Sequence, residues 1–237
     1  MTIKVAVIQF PGSNCDRDTV YILNNVIKDV EASLVWHAEF KESKYDAVVM
    51  PGGFSFGDYL RSGIIAAHSP AIEEARIMLN DGRPIIGICN GFQILTEAQF
   101  LPGALLQNDS LKFICKWVNI QVKNNKTAFT NNMELDEVLD IPIAHGEGRY
   151  YTNKLQELKD NDQIVFQYCS EGGNIADKAN PNGSLESIAG ICNLERNCLG
   201  LMPHPERASE SILSPTSTNH GKLFFESMKN FIQNGGI

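Results

Sequence analysis

Pro84-Ile85-Ile86-Gly87-Ile88-Cys89-Asn90-Gly91-Phe92-Gln93 is the stretch on which the fold turns. It opens as a short apolar run, the pattern of a strand buried on both faces. It closes as a helix, because Phe92, Ile94, Leu95 and Ala98 recur at helical spacing. Between the two, Gly87-Ile88-Cys89-Asn90-Gly91 has the form of a nucleophile elbow with Cys in place of Ser. Such a turn lifts its apex residue out of the sheet and sets it at a helix N-terminus, where the dipole favours thiolate. The Asn90 N–H is then placed to meet an oxyanion.

Working outward, the segments before the elbow alternate. Lys4 to Gln9 reads as a buried strand, and Ser13 or Asn14 caps a helix running to about Val30. Ser33–His37 and Ala47–Met50 are further strands, the latter ending at Pro51-Gly52-Gly53. A helix is expected from about Ile64 to Asn80. This is an α/β pattern: an open, mostly parallel, flavodoxin-like sheet with helices on both faces. Ligands of such sheets lie beyond the strands' carboxyl ends, where Cys89 and Gly52-Gly53 both fall.

After Pro102 the texture changes to short antiparallel strands. They are expected at Phe113–Val122 and Thr127–Thr130, with Asn124-Asn125 as the turn, and at Gln163–Tyr168, Glu186–Cys192 and Cys198–Met202. Ile143–Tyr150 reads as a glycine-punctuated loop, and Glu171–Ser184 as the most loop-like stretch. An amphipathic helix, His220–Gln233, closes the chain. No linker or repeat interrupts it, so residues 1–237 are expected to form a single domain.

With 237 residues the chain can bury a sizeable core. A net charge of −8 without a basic cluster argues against nucleic-acid binding. No run reaches membrane-span length and no signal peptide is evident. The six cysteines form no C-x-x-C pair and no zinc spacing, so no metal is expected, and reduced thiols in a cytoplasmic setting are.

A thiol nucleophile needs a base, and the base an orienting acid. His204 follows the apolar run Cys198–Met202, with a proline on either side. In an extended backbone Glu206 would face the same way, giving a Cys-His-Glu arrangement of Cys89, His204 and Glu206. The second oxyanion donor should come from Pro51-Gly52-Gly53, with Gly53 favoured. Cys15, Cys115, Cys169, Cys192 and Cys198 lack elbow context and read as structural thiols.

Together, Pro51-Gly52-Gly53, Cys89-Asn90-Gly91-Phe92-Gln93 and His204-Pro205-Glu206 resemble the class I (triad) glutamine amidotransferases. Pro11-Gly12-Ser13-Asn14-Cys15-Asp16, Gly53 to Arg61, Ala144 to Tyr150 and Gly200 to Arg207 narrow the resemblance to the glutaminase subunits of phosphoribosylformylglycinamidine synthase. It spans nearly the whole chain, except Thr152–Ser184, which carries no matched motif. The resemblance implies that Cys89 attacks the side-chain amide of glutamine while Gly53 and Asn90 hold the oxyanion. His204 protonates the leaving ammonia, Glu206 orients His204, and water hydrolyses the γ-glutamyl thioester. Ammonia then serves a large synthetase subunit that converts formylglycinamide ribonucleotide to the formylglycinamidine in de novo purine synthesis, with a short third subunit in the complex. ATP and Mg are expected on the synthetase and no cofactor on this chain. Gln93 is implied as a substrate contact, against a solvated helix residue. His145 and Glu147 are either a loop near the site or a plain turn, and Asp58 and Arg61 suggest partner contacts. Two other readings share the elbow: a protease- or deglycase-type cysteine hydrolase, which as a family lacks His-Pro-Glu, and an inactive interaction subunit, against which the intact Cys89, His204 and Glu206 argue.

Overall fold

A computed structural model describes residues 2–236. In chain order the first elements are β1 (Ile3–Gln9), α1 (Asp16–Asn25), β2 (Val30–Trp36), β3 (Ala47–Met50), α2 (Pro70–Asn80), β4 (Ile85–Ile88) and α3 (Asn90–Glu97). There follow β5 (Ala104–Leu106), β6 (Ile114–Val122), β7 (Val138–His145), β8 (Arg149–Tyr151), α4 (Leu155–Asp160), β9 (Ile164–Cys169), β10 (Ile188–Cys192), β11 (Cys198–Leu201) and α5 (Lys222–Gln233).

One nine-stranded sheet runs β2-β1-β3-β4-β11-β10-β9-β6-β7. The first five strands are mutually parallel. The remaining pairings are antiparallel. Every residue of β3, β4 and β11 is buried, which is why they read as unbroken apolar runs. The chain moves from β1 to β2 in one direction and from β3 to β4 in the other. Right-handed crossovers therefore put α1 and α2 on opposite faces. Strands β4 and β11 pair in register, Ile88 beside Leu201, and Cys89 N–H donates to the Leu201 carbonyl (2.8 Å). Residues leaving these two strands consequently emerge side by side.

Several local expectations differ from the structure. Helix α1 stops at Asn25, and Asp29, with φ 63°, turns the chain into β2. Neither Ser13 nor Asn14 caps it: Ser13 Oγ accepts from Phe10 N–H, and Cys15 occupies the cap position. The helix expected from Ile64 is broken into a 3-10 turn, Ala66–His68, and α2, because Pro70 restricts Ser69 to an extended conformation. Thr127–Thr130 is a turn: both hydroxyls bond to each other and to nearby backbone N–H groups, in place of a ladder. Strand β6 therefore pairs with β7, which absorbs Ile143 to His145. Helix α4 was not anticipated.

Candidate active site

Cys89 sits between β4 and α3 with φ 51° and ψ −102°, a backbone state that a side-chain-bearing residue adopts only under constraint. The constraint is the close seating of α3 on β3. A Cβ on Gly91 would lie 1.9 Å from the Met50 carbonyl oxygen, so no side chain is possible there. The Cys89 thiol is almost buried and points at the Ala144 carbonyl, 3.7 Å away. The N–H groups of Asn90, at the first turn of α3, and of Gly53, in the loop after β3, donate to no acceptor among the described residues. Both are available donors in the sense an oxyanion requires.

His204 leaves β11 next to the elbow, and its N–H is held by the Pro142 carbonyl (2.8 Å). Its Nδ1 lies 2.6 Å from Glu206 Oε1, and both residues are buried, at 2% and 1% exposure. The two side chains meet through a 3-10 turn, Pro205–Ala208, rather than through the extended backbone expected from the sequence. Pro205 starts that turn, with a φ already suited to it. Burial opposes charge on the imidazole. The Glu206 carboxylate, Cys89 and Cys15 outweigh it and raise the His204 pKa well above its ordinary value. His204 Nε2 makes no hydrogen bond of ordinary geometry among the described residues.

Gln93 is not solvated: it is 6% exposed and sits in a polar chain beneath the elbow. Ser55 N–H donates to Asn90 Oδ1 (3.1 Å), Asn90 Nδ2 donates to Gln93 Oε1 (2.9 Å), and Gln93 Nε2 donates to the Glu147 carbonyl (2.7 Å). Gln93 thus ties α3 to the loop after β7.

That loop is fixed from its far side by two asparagines that the sequence did not single out. Asn108 donates to the His145 carbonyl (2.9 Å), and its Oδ1 accepts from Gly148 N–H (3.0 Å) and lies 3.1 Å from His145 Nδ1. Asn182 donates to the Gly148 carbonyl (2.8 Å). His145 is buried in this cage. Its desolvation, with the charge of His204, lowers its pKa to about 4. Nothing marks these asparagines in sequence, since both stand in polar turns of ordinary composition, and Asn182 belongs to the stretch that matched no motif.

Two further residues border His204 and Glu206. Cys15, read from the sequence as a structural thiol, converges with the His204 ring over Gly52: a Cβ there would lie 2.7 Å from His204 Cε1 and 3.0 Å from Cys15 Sγ. Arg207 Nη2 donates to Cys15 Sγ (3.1 Å). Cys15, His204 and Glu206 offer three potential metal donors within 4.8 Å of one another. They fit a cation poorly, because His204 Nδ1 is already closed on Glu206 and a guanidinium rests on the sulfur. Cys169, Cys192 and Cys198 are buried, and burial pushes the first two up to about 11 and about 12. Cys115 is exposed on β6 and packs into no core.

The model of the CobB/CobQ-like glutamine amidotransferase domain matches residues 2–233. The chain belongs to that family of glutamine amidotransferases. Subunit PurQ of phosphoribosylformylglycinamidine synthase from Methanosarcina mazei is 52% identical over 97% of this chain and 98% of its own. The corresponding subunit from Aquifex aeolicus is 54% identical over 89% of this chain and 93% of its own. A chain of the PurLQS structure from Thermotoga maritima matches with TM-score 0.85 and 44% identity, covering 98% of this chain and all of that one. Within the amidotransferase family the chain therefore falls among the glutaminase subunits of phosphoribosylformylglycinamidine synthase, enzymes of purine biosynthesis.

On this amidotransferase a groove of about 1020 Å³ lies away from Cys89, along Glu97, Phe100, Tyr151 and Lys154. The glycine-rich loop after β3 is strained, with Phe56, Asp58 and Leu60 all at φ between 54° and 69°. Its tip is solvent-facing, Tyr59 being 75% and Leu60 92% exposed, whereas Phe56 turns inward against His37 and Arg61 pairs with Glu97. Asp58 is half-buried, which with the nearby Glu147 charge, and against a Ser62 hydrogen bond, raises its pKa to about 6.

Proposed function

We propose that Cys89, His204 and Glu206 carry the glutaminase reaction of this subunit. The observation supporting it is the buried His204–Glu206 pair, 2.6 Å apart, emerging from β11 beside a strained elbow cysteine at the end of β4. The Cys89 sulfur attacks the amide carbon of glutamine, and the carbonyl electrons move to an oxygen held by the Asn90 and Gly53 N–H groups. On collapse the C–N bond breaks and imidazolium His204 gives its proton to the departing ammonia. Water, deprotonated by His204, attacks the γ-glutamyl thioester, releasing glutamate and the thiol. Glu206 holds His204 Nδ1–H throughout and transfers no proton. Gln93 supports the substrate through the loop it tethers, and residues 1–237 act as one domain.

The ammonia passes to a synthetase chain, where ATP and Mg are used. The likeness to a chain of the PurLQS structure supports an assembly with further subunits, here a large synthetase and a short third chain, and the exposed Tyr59 and Leu60 suit a docking contact. Docking would order the strained loop that begins at Gly53 and so aim one oxyanion donor. The test is Cys89→Ala in the complex: glutamine-dependent synthesis should vanish while ammonia-dependent synthesis remains. Persisting glutamine use would remove Cys89 as the nucleophile.

A further inference from the structure

We infer that Arg207, acting through Glu206, and Cys15, which seats Arg207 and lies beside the imidazole, are positioning residues for His204; this rests on the reading of Glu206 as the triad acid. Glu206 is enclosed, yet Oε1 is hydrogen-bonded only to His204 Nδ1, and Oε2 has no hydrogen-bond partner among the described residues. An ionised carboxylate so placed requires compensating charge close by. His204 alone cannot supply it throughout catalysis, because the imidazole loses its charge each time it protonates ammonia. The permanent charge within reach is Arg207, whose Nε lies 3.9 Å from Glu206 Oε1.

Arg207 is itself held from α1. Its Nη2 donates to Cys15 Sγ at 3.1 Å, and its Nε lies 3.8 Å from Asp18 Oδ2. Cys15 is rigid in turn: its N–H donates to the Gly52 carbonyl, its thiol to Asn14 Oδ1, and its carbonyl accepts from Thr19. A buried thiol so fixed gives the guanidinium one seat. The same sulfur closes the space beside the imidazole over Gly52, where water would otherwise compete for Glu206. The α1 N-terminus thereby reaches the base in two ways, through Arg207 and Glu206 and through the Cys15 sulfur beside the imidazole.

The experiment follows glutamate release from glutamine by the chain assembled with its synthetase. Arg207→Met is expected to lower kcat about tenfold, the effect of one partly solvated charge at this distance, with KM within about twofold. Arg207→Lys should recover part of the loss, since it restores the charge without the fork. Cys15→Ala should lose less than Arg207→Met. The double variant should lose less than the two single losses combined, because part of the Cys15 effect passes through Arg207. The far-downfield proton resonance of His204 Nδ1–H should broaden or move in Arg207→Met, a change that general destabilisation would not produce. Should Arg207→Met fail to fold, Asp18→Asn loosens the same guanidinium from the surface and should give a smaller kcat loss of the same kind. Unchanged kcat and an unmoved resonance in the folded variants would overturn the inference, as would additive losses for Cys15. Inactive His204→Ala beside fully active Arg207→Met defeats this inference alone, whereas active His204→Ala defeats the triad itself.

Discussion

The parallel and antiparallel halves of the sheet bring groups to the site by different means. In the parallel half, position comes from the backbone. Strands β3, β4 and β11 are short, buried and in register, so the loops that leave their carboxyl ends deliver Gly53, Cys89 and His204 to one place. In the antiparallel half, the loop after β7 is placed by side chains from distant turns. Asn108 and Asn182 hold it from behind, and Gln93 pulls it onto α3. On the proposed mechanism the chemistry sits on rigid strand ends, and the wall that faces it hangs on a polar network that single substitutions can loosen.

The sharpest way to break this contrast is to remove the proposed base, His204. His204→Ala should eliminate nearly all glutaminase turnover, and Glu206→Ala should cost less, on the order of 10²-fold, because it orients without transferring a proton. Steady-state glutamate release decides it. Equal, complete losses would mean that Glu206 alone determines where His204 stands. Full activity in either variant would remove that residue from the mechanism.

The same contrast explains what could be read before the structure. The elbow was legible because its glycines, apolar strand and helical spacing lie within fifteen consecutive residues, from Pro84 to Ala98. His204 and Glu206 were legible from their place after an apolar run, although the turn that joins them is 3-10 rather than extended. The contact of Cys15 with Arg207 was not legible, because the two lie 192 residues apart in sequence. Asn108 and Asn182 gave no signal, since asparagine in a turn is ordinary chemistry for local bonding. The Thr127–Thr130 segment was misread because two hydroxyls outcompeted a ladder that β-propensity favours.

Within the parallel half, Gly52 lies just beyond the end of β3, against the His204 ring. Gly52→Ala places a Cβ 2.7 Å from His204 Cε1. The ring or the loop must shift, and kcat should fall about 10²-fold, the size of a misplaced catalytic group. The unfolding temperature should change little, since the clash lies at the site and not in the sheet. An active Gly52→Ala variant would show that the strand-end geometry tolerates more slack than the packing implies.

Loosening the opposite wall should act on binding more than on chemistry. Asn182→Ala removes the shorter of two donors to the Gly148 carbonyl and leaves it only the longer Ser184 hydroxyl (3.3 Å), at a cost of about 1 kcal/mol in stability. KM for glutamine should rise about tenfold with kcat reduced less, if the loop supports substrate rather than the reacting atoms. A parallel fall in kcat with unchanged KM would move the loop into the catalytic machinery. At the loop after β3, Tyr59→Ala should leave the basal rate of the free chain intact and lower stimulation by the synthetase several-fold. Loss of both rates together would uncouple that loop from docking.

The smallest effect on turnover, and the most direct probe of the wall, concerns His145. Its pKa is lowered to about 4 by burial and by the His204 charge, whereas in an unfolded chain it returns to the ordinary 6.5. Above pH 6.5 the ring is neutral in both states and contributes no pH dependence. As pH falls from 6.5 towards 4, the unfolded chain binds a proton that the folded chain refuses, so folding loses stability across that window. For a gap of this size the loss is on the order of 3 kcal/mol by its lower end. Histidine proton resonances followed from pH 8 to 5 should include one that does not titrate, assigned to His145 by its absence in His145→Gln. The stability difference between wild type and that variant should shrink as pH drops through the same window, because only wild type carries the buried ring. A His145 resonance titrating near 6.5 would mean that the asparagine cage opens to water in solution. The wall opposite Cys89 would then be mobile, and the contrast between fixed strand ends and a fixed wall would give way to one between a rigid half and a flexible one.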